Sequence, residues 1–270
     1  MQIKKYLRTN LATAIILPLL ITGCNSDTQV MERPEKVYYD TAQRRMKANN
    51  FFSAIESLQA IEARYPFGRY AEQAQSELIY AYYMNGEDEA SHEAAEKFIR
   101  LNPRHPNIDY AYFMRGIASY TRDKGVFARV FKSDLSNRDI SGAKQAFGEL
   151  SEFLTRFPQS QYAPYASQRL IYLRSLIAKN ELVAAEYYLK RKAYVAALRR
   201  AKYVIENIPN TSENIRALQI VRECYEALGY FELMEDIEKV IEVNGGSIIE
   251  NSESASWNFF SRKAPRPAQD

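Results

Sequence analysis

The 270 residues include only two cysteines, Cys24 and Cys224. Cys224 falls in a helical pattern beside Tyr225 and Leu228, where a lone cysteine is usually a small core residue. Cys24 is thereby left without a disulfide partner. The two histidines, His92 and His105, stand far apart and have no companions at ligand spacing, which argues against a metal site. No run is long enough for a permanent transmembrane helix: the stretch from Leu11 to Ile21 is broken by Thr13 and Pro18 and falls short of the roughly 20 apolar residues a bilayer requires. The formal charge is only +3, so the strong basic balance of a nucleic-acid partner is missing. There is also no Gly-rich phosphate loop, no Ser and His pairing at a sharp turn, and no pair of acids that the sequence places in one apolar cleft. The expected class is a binding protein, with no enzymatic activity, no metal and no cofactor.

What the N-terminus does have is Lys4, Lys5 and Arg8 with no acid, followed by that short apolar run: the layout of a signal peptide over residues 1–23. Its end, Leu20-Ile21-Thr22-Gly23-Cys24, resembles the lipobox of bacterial lipoproteins. The resemblance implies cleavage before Cys24 and several acyl chains on that residue. A single chain holds only marginally and each buried CH₂ adds about 0.8 kcal/mol, so several chains give a stable membrane anchor. Asn25 is not the aspartate that, by the same resemblance, retains lipoproteins in the inner membrane, so the periplasmic face of the outer membrane is expected. Removal of residues 1–23 takes away three basic residues and no acid, leaving the mature chain about neutral. Residues 24–33 read as a lipidated polar tether.

From residue 34 to 244 nothing alternates like a sheet. Apolar and aromatic residues recur at spacings of three and four between short turns marked by Pro, Gly and Asn. One phrase repeats at helix ends: Ile61-Glu62-Ala63-Arg64-Tyr65-Pro66, Phe98-Ile99-Arg100-Leu101-Asn102-Pro103, Phe153-Leu154-Thr155-Arg156-Phe157-Pro158 and Val204-Ile205-Glu206-Asn207-Ile208-Pro209. Each proline stops a helix because it lacks the N–H that would continue it. Twelve positions earlier stand the small residues Ala54, Ser91, Ala146 and Ala197, suited to a close helix crossing; five earlier stand the large apolar Ile61, Phe98, Phe153 and Val204. These offsets match the tetratricopeptide (TPR) repeat. The expected fold is all-α, a TPR superhelix of about five helix-turn-helix units with insertions in repeats three and four. In the fifth, degenerate unit Gly245 replaces the proline, as suits a terminal cap. The first insertion, 121–140, carries Val126, Phe127, Val130, Phe131 and Leu135 and reads either as a flap on the array or as a partner contact. The second lengthens a helix running from Pro164 towards Lys190. Residues 245–270 are expected to form a flexible tail whose Trp257, Phe259 and Phe260 either pack back or bind something.

Several motifs are more specific than the repeat skeleton: Arg64-Tyr65-Pro66-Phe67-Gly68, Leu78-Ile79-Tyr80-Ala81-Tyr82-Tyr83, the run from Phe98 to Pro103 continuing through His105-Pro106-Asn107-Ile108-Asp109-Tyr110, and Ser160-Gln161-Tyr162. Together with the lipobox they resemble the BamD family (also ComL or YfiO) of outer-membrane assembly lipoproteins, as far as about Asn244. The resemblance implies a subunit of the machine that folds and inserts β-barrel proteins into the outer membrane. Its implied partners are BamA, through a periplasmic POTRA domain, the lipoproteins BamC and BamE, and unfolded outer-membrane β-barrel proteins. Two alternatives stay open: another periplasmic TPR lipoprotein acting in cell-wall or envelope organisation, and a glycan-processing enzyme.

Two groups of candidate binding residues follow. With Leu78, Tyr82, Gly86 and Pro103 in their repeat positions, helical spacing turns Ser76, Tyr80 and Tyr83 towards the concave side, beside Tyr39 and Gln43 of the first unit. Tyrosines offer wide contact with few rotamers to freeze and a hydroxyl for a peptide backbone, which suits an extended substrate segment; alternatively they only pack between helices. The second group lies in the run Lys190 to Lys202, which has six basic residues and no acid. If a helix begins near Ala193, then Tyr194, Ala197, Leu198, Ala201 and Val204 form its buried stripe and Arg199, Arg200 and Lys202 stay outside, either solvated or paired with acids of a partner. The family resemblance implies that this half docks on the POTRA domain nearest the barrel, with Arg200 favoured because its match falls on an arginine. Replacing Cys24 with Ala should release the folded protein into the periplasm or stall it as precursor in a fractionation assay. Mature protein still held firmly in the membrane without a BamA-like partner would contradict a single lipid anchor.

Overall fold

The structure, a computed structural model, describes residues 33–122, 139–245 and 265–267. Among these residues ten helices follow one another: α1 Glu35–Lys47, α2 Phe51–Arg64, α3 Ala71–Asn85, α4 Asp88–Leu101, α5 Ile108–Arg122, α6 Ser141–Arg156, α7 Ala163–Lys190, α8 Tyr194–Asn207, α9 Glu213–Leu228 and α10 Phe231–Gly245. Each packs on the next, and α3 also meets α5 as α7 meets α9, so successive helix pairs join through their first members. That is the connectivity of a TPR array. Cys24, the insertion segment 123–138 and the aromatics Trp257, Phe259 and Phe260 lie outside the described residues. No described helix is long and apolar enough to cross a membrane.

The helix-ending prolines act in one way four times. Tyr65, Asn102, Phe157 and Ile208, each just before a proline, leave helical geometry at φ −124 to −130° and ψ 55 to 58°. The proline ring disfavours the α region for its predecessor. Each still donates its N–H to the carbonyl four residues back: Ile61, Phe98, Phe153 and Val204. Those four side chains are 0 to 1% exposed, and the small residues at the crossings, Ala54, Ser91, Ala146 and Ala197, are wholly buried. The Ser91 hydroxyl donates to the Ile79 carbonyl of α3 at 2.8 Å, so the one polar residue at a crossing is satisfied.

Two turns depend on glycine. Gly86 ends α3 at φ 91°, in the left-handed region that a side chain disfavours. A Cβ on Gly68 would collide with the Glu35 carboxyl group. That carboxylate accepts the N–H groups of Arg69 and Tyr70 at 3.1 and 2.7 Å and so ties the α2–α3 turn to the start of α1. Pro164 sits in the first turn of α7, where its missing N–H costs nothing. At the other end α10 leaves Phe231, Leu233 and Val243 exposed, a face with no following unit among the described residues. Because Phe153 is wholly buried, with Phe113 of α5 and Phe157 against its ring, Phe153→Ala should cost about 3–5 kcal/mol in urea unfolding, and Phe52→Ala, on an exposed ring, about 0.5 or less. Equal losses would contradict the assignment of Phe153 to the core.

Candidate functional site: a buried carboxylate among tyrosines

The first helices of the pairs bring together side chains far apart in sequence. Glu77, on α3, is wholly buried, and its carboxylate accepts hydrogen bonds from Tyr39 Oη at 3.3 Å, Gln43 Nε2 at 2.6 Å and Gln73 Nε2 at 3.3 Å. A further donor comes from the far end of the chain. Arg266 Nη2 lies 3.3 Å from Glu77 Oε2 and 2.6 Å from Gln43 Oε1, and it touches Met46 Sδ at 3.7 Å. Tyr162, which precedes α7, donates from its hydroxyl to the Arg266 carbonyl at 3.4 Å. Pro267 is buried, so part of the expected tail is held against the array.

Aromatic rings frame this point. Tyr39 stacks on Tyr70 with centroids 4.5 Å apart, Tyr80 meets Phe51 edge-on, and Tyr110 packs against Tyr162. Burial, reinforced by the Glu77 charge, pushes the Tyr39 phenol well above its ordinary range. Burial also raises Tyr80, against an opposing pull from Arg266, and raises Tyr162 to about 12. The buried Tyr110 hydroxyl has no hydrogen-bond partner among the described residues and feels the charges of Glu77 and Arg266.

Of the five residues read from the sequence for this groove, Tyr39 and Gln43 converge on Glu77, and Tyr80 stands half-buried beside them. Ser76 and Tyr83 are 2% and 5% exposed, and Tyr83 packs into the core shared with Ala95 and Phe98. Sequence reasoning missed Glu77, Tyr110, Tyr162 and Arg266. An acid on an amphipathic helix reads as solvated by default; the signal available was its setting, between Ala74 and the Leu78-Ile79 pair.

The second candidate group lies on α8, which begins at Tyr194 and buries Ala197, Ala201 and Val204. Arg199, Arg200 and Lys202 are all exposed on its other side. Arg200 is also occupied within the chain: its Nη1 donates to Glu181 Oε2 at 2.7 Å, while Lys144 Nζ reaches Oε1 at 2.9 Å. Burial raises the Glu181 pKa, but the hydrogen bonds and charges of Lys144 and Arg200 outweigh it and hold the carboxyl below its ordinary value. Lys202 pairs loosely with Glu206 at 3.6 Å, and Arg199 lines an open depression of about 460 Å³ with Tyr194 and Leu228.

Residues 31–240 match the model of the YfiO family, described as outer membrane lipoproteins. The chain belongs to the YfiO family. It is 34% identical over 226 residues to the outer membrane protein assembly factor BamD of Vibrio cholerae, an alignment covering 83% of this chain and 94% of that one. The factor of the same name from Xylella fastidiosa is 35% identical over 237 residues, covering 87% and 81%. A solved putative kinesin light chain with TPR-like repeats superposes at a TM-score of 0.39 and 13% identity, covering 82% of this chain and all of that one. The YfiO match includes every groove residue and all of α8, and it ends before Arg266.

Within this YfiO fold Arg200 has an internal structural task. Arg200→Glu would set a second carboxylate against buried Glu181 and should cost about 1–3 kcal/mol, since the arginine is half exposed but its partner is not. Arg199→Glu should leave the melting temperature nearly unchanged. A carboxyl whose folded pKa is depressed stabilises fully above its unfolded pKa, and that contribution fades as pH falls through the folded value. The wild type should therefore lose stability below about pH 4.5 more steeply than Glu181→Gln. Identical acid melts of the two proteins would contradict the Glu181 assignment.

Proposed function

We propose that this chain works as an outer-membrane protein assembly factor by holding an extended segment of an unfolded β-barrel protein along α1, α3 and α5. In the same reading it docks on a POTRA domain of a BamA-type barrel protein through α8, beside BamC- and BamE-type lipoproteins. The observation that carries the first part is the groove itself. Tyr39 and Tyr80, both half-buried, stand near a buried carboxylate, and a piece of chain already lies there, with its Arg266 carbonyl taken by Tyr162. Rings with few rotamers give contact area at low entropic cost, and the Tyr162 hydroxyl already donates to a backbone carbonyl, that of Arg266.

For docking, Arg199 and Lys202 offer charge at the surface, and Arg200 has N–H groups beyond the one given to Glu181. Planar guanidinium forks suit carboxylates of a facing domain. In this arrangement Arg199→Glu weakens co-purification with the barrel subunit without a loss of fold, and an acid-to-base change on that subunit restores it.

Photocrosslinkers placed at Tyr80 and, as a control, at the fully exposed Phe67 test the substrate reading. With an unfolded barrel protein presented to the anchored chain, position 80 should form the adduct and position 67 should not. Adducts at 67 alone would overturn the groove assignment.

A further inference from the structure

We propose that Glu77 and Gln43 form a receptor for the guanidinium of an extended arginine-bearing segment, and that the chain's own Pro265-Arg266-Pro267 fills it as a tethered competitor. The proposal rests on the groove being where a foreign segment binds, and it adds both a chemical selectivity and a built-in occupant to that reading.

The receptor has the features of a built site. Glu77 has no exposed surface, yet Arg266 reaches it from 189 positions away in sequence. A carboxylate taken out of water needs strong donors around it, and a guanidinium supplies both charge and directed N–H groups. Gln43 serves both sides of the contact: its amide nitrogen donates to Glu77 and its amide oxygen accepts from Arg266 Nη2 at 2.6 Å. The Arg266 backbone is engaged as well, through Tyr162 Oη at 3.4 Å. One side chain and one carbonyl of an extended segment are thus read by residues from α1, α3 and the start of α7.

The occupant is suited to the role by its own sequence. Proline fixes φ near −65°, and the residue before a proline avoids helical geometry, so Pro-Arg-Pro is set extended before it binds. Residues 246–264 separate α10 from this segment and could span roughly 60 Å if extended. A segment on the same chain competes at an effective concentration that reaches the millimolar range for short tethers. The fit is also incomplete, since Arg266 Nε and the Tyr110 hydroxyl, both buried, have no hydrogen-bond partner among the described residues. A segment that bonded the Tyr110 hydroxyl and left none of its own buried N–H groups unpaired would gain on the tail. The tail thus sets a threshold, keeping the groove filled until a better segment arrives.

The test uses a fluorescent synthetic peptide of residues 261–270 and the full mature chain in detergent, read by anisotropy. Arg266→Glu in the chain should tighten binding of the added peptide by about tenfold or more, because the tethered competitor is removed. Adding Glu77→Gln to that variant should abolish the gain, with circular dichroism checking that the helices persist. Equal peptide affinity for wild type and Arg266→Glu would overturn the proposal, as would a gain that survives Glu77→Gln. Crosslinking of an unfolded barrel protein at Tyr80 separates the two ideas. Adducts that increase with Arg266→Glu support competition, and adducts indifferent to the tail refute it while sparing the groove assignment. A tail peptide that binds through Glu77, with no barrel protein ever reaching position 80, leaves the receptor standing and removes the groove reading of the preceding section.

Discussion

Taking a carboxylate out of water costs several kcal/mol unless donors and a cation meet it, and the helices of this array supply them repeatedly. Glu181 on α7 is met by Lys144 from α6 and Arg200 from α8. Glu213 at the start of α9 is met by Ser175 and Lys179 of α7. Glu149 on α6 takes His92 of α4 at 2.9 Å and Ser119 of α5 at 2.6 Å; these bonds outweigh the burial that would raise its pKa and hold it below the ordinary range. Each of these acids ties neighbouring helices, and in a stack where contacts run mainly between adjacent units such ties set the register of one unit on the next.

Glu77 departs from that pattern. Tyr39 and Gln43 of α1 and Gln73 of its own helix donate to it, but the guanidinium beside it comes from Arg266, beyond the residues matched to the YfiO model. A buried acid met by adjacent helices reads as structure. In the reading proposed above, Glu77 met by the tail is a binding site with its occupant in place. In that reading the nearby tyrosines add contact surface and Glu77 supplies the discrimination, because an arginine brings both charge and directed N–H groups to a buried carboxylate.

Much of this fold was legible in the sequence because it is written in local chemistry. Prolines at 66, 103, 158 and 209 end helices wherever they occur, and the positions five and twelve residues before them are buried as the spacing implies. The helix from Ala163 to Lys190 and the start of α8 at Tyr194 follow from the same rules. The groove was only partly legible. Tyr39, Gln43 and Tyr80 were found from helical spacing, but spacing fixes a direction around one helix and does not reveal which neighbour covers it. Hence Tyr83, one turn on from Tyr80, lies inside the core. Arg200 illustrates the same limit: an exposed arginine in a basic run also meets a buried acid nineteen positions earlier. The contact of Arg266 with Glu77 joins residues 189 positions apart, which no local pattern encodes.

The claim on which this account turns is that the tail is held at Glu77 in the protein as it stands. Spin labels introduced by Phe67→Cys and Ala268→Cys, with the distance between them read by pulsed electron resonance, test it directly. The account predicts a narrow distance distribution in the full mature chain that broadens when Glu77 is changed to Gln. A broad distribution in the unaltered chain, or a narrow one indifferent to Glu77→Gln, would contradict it.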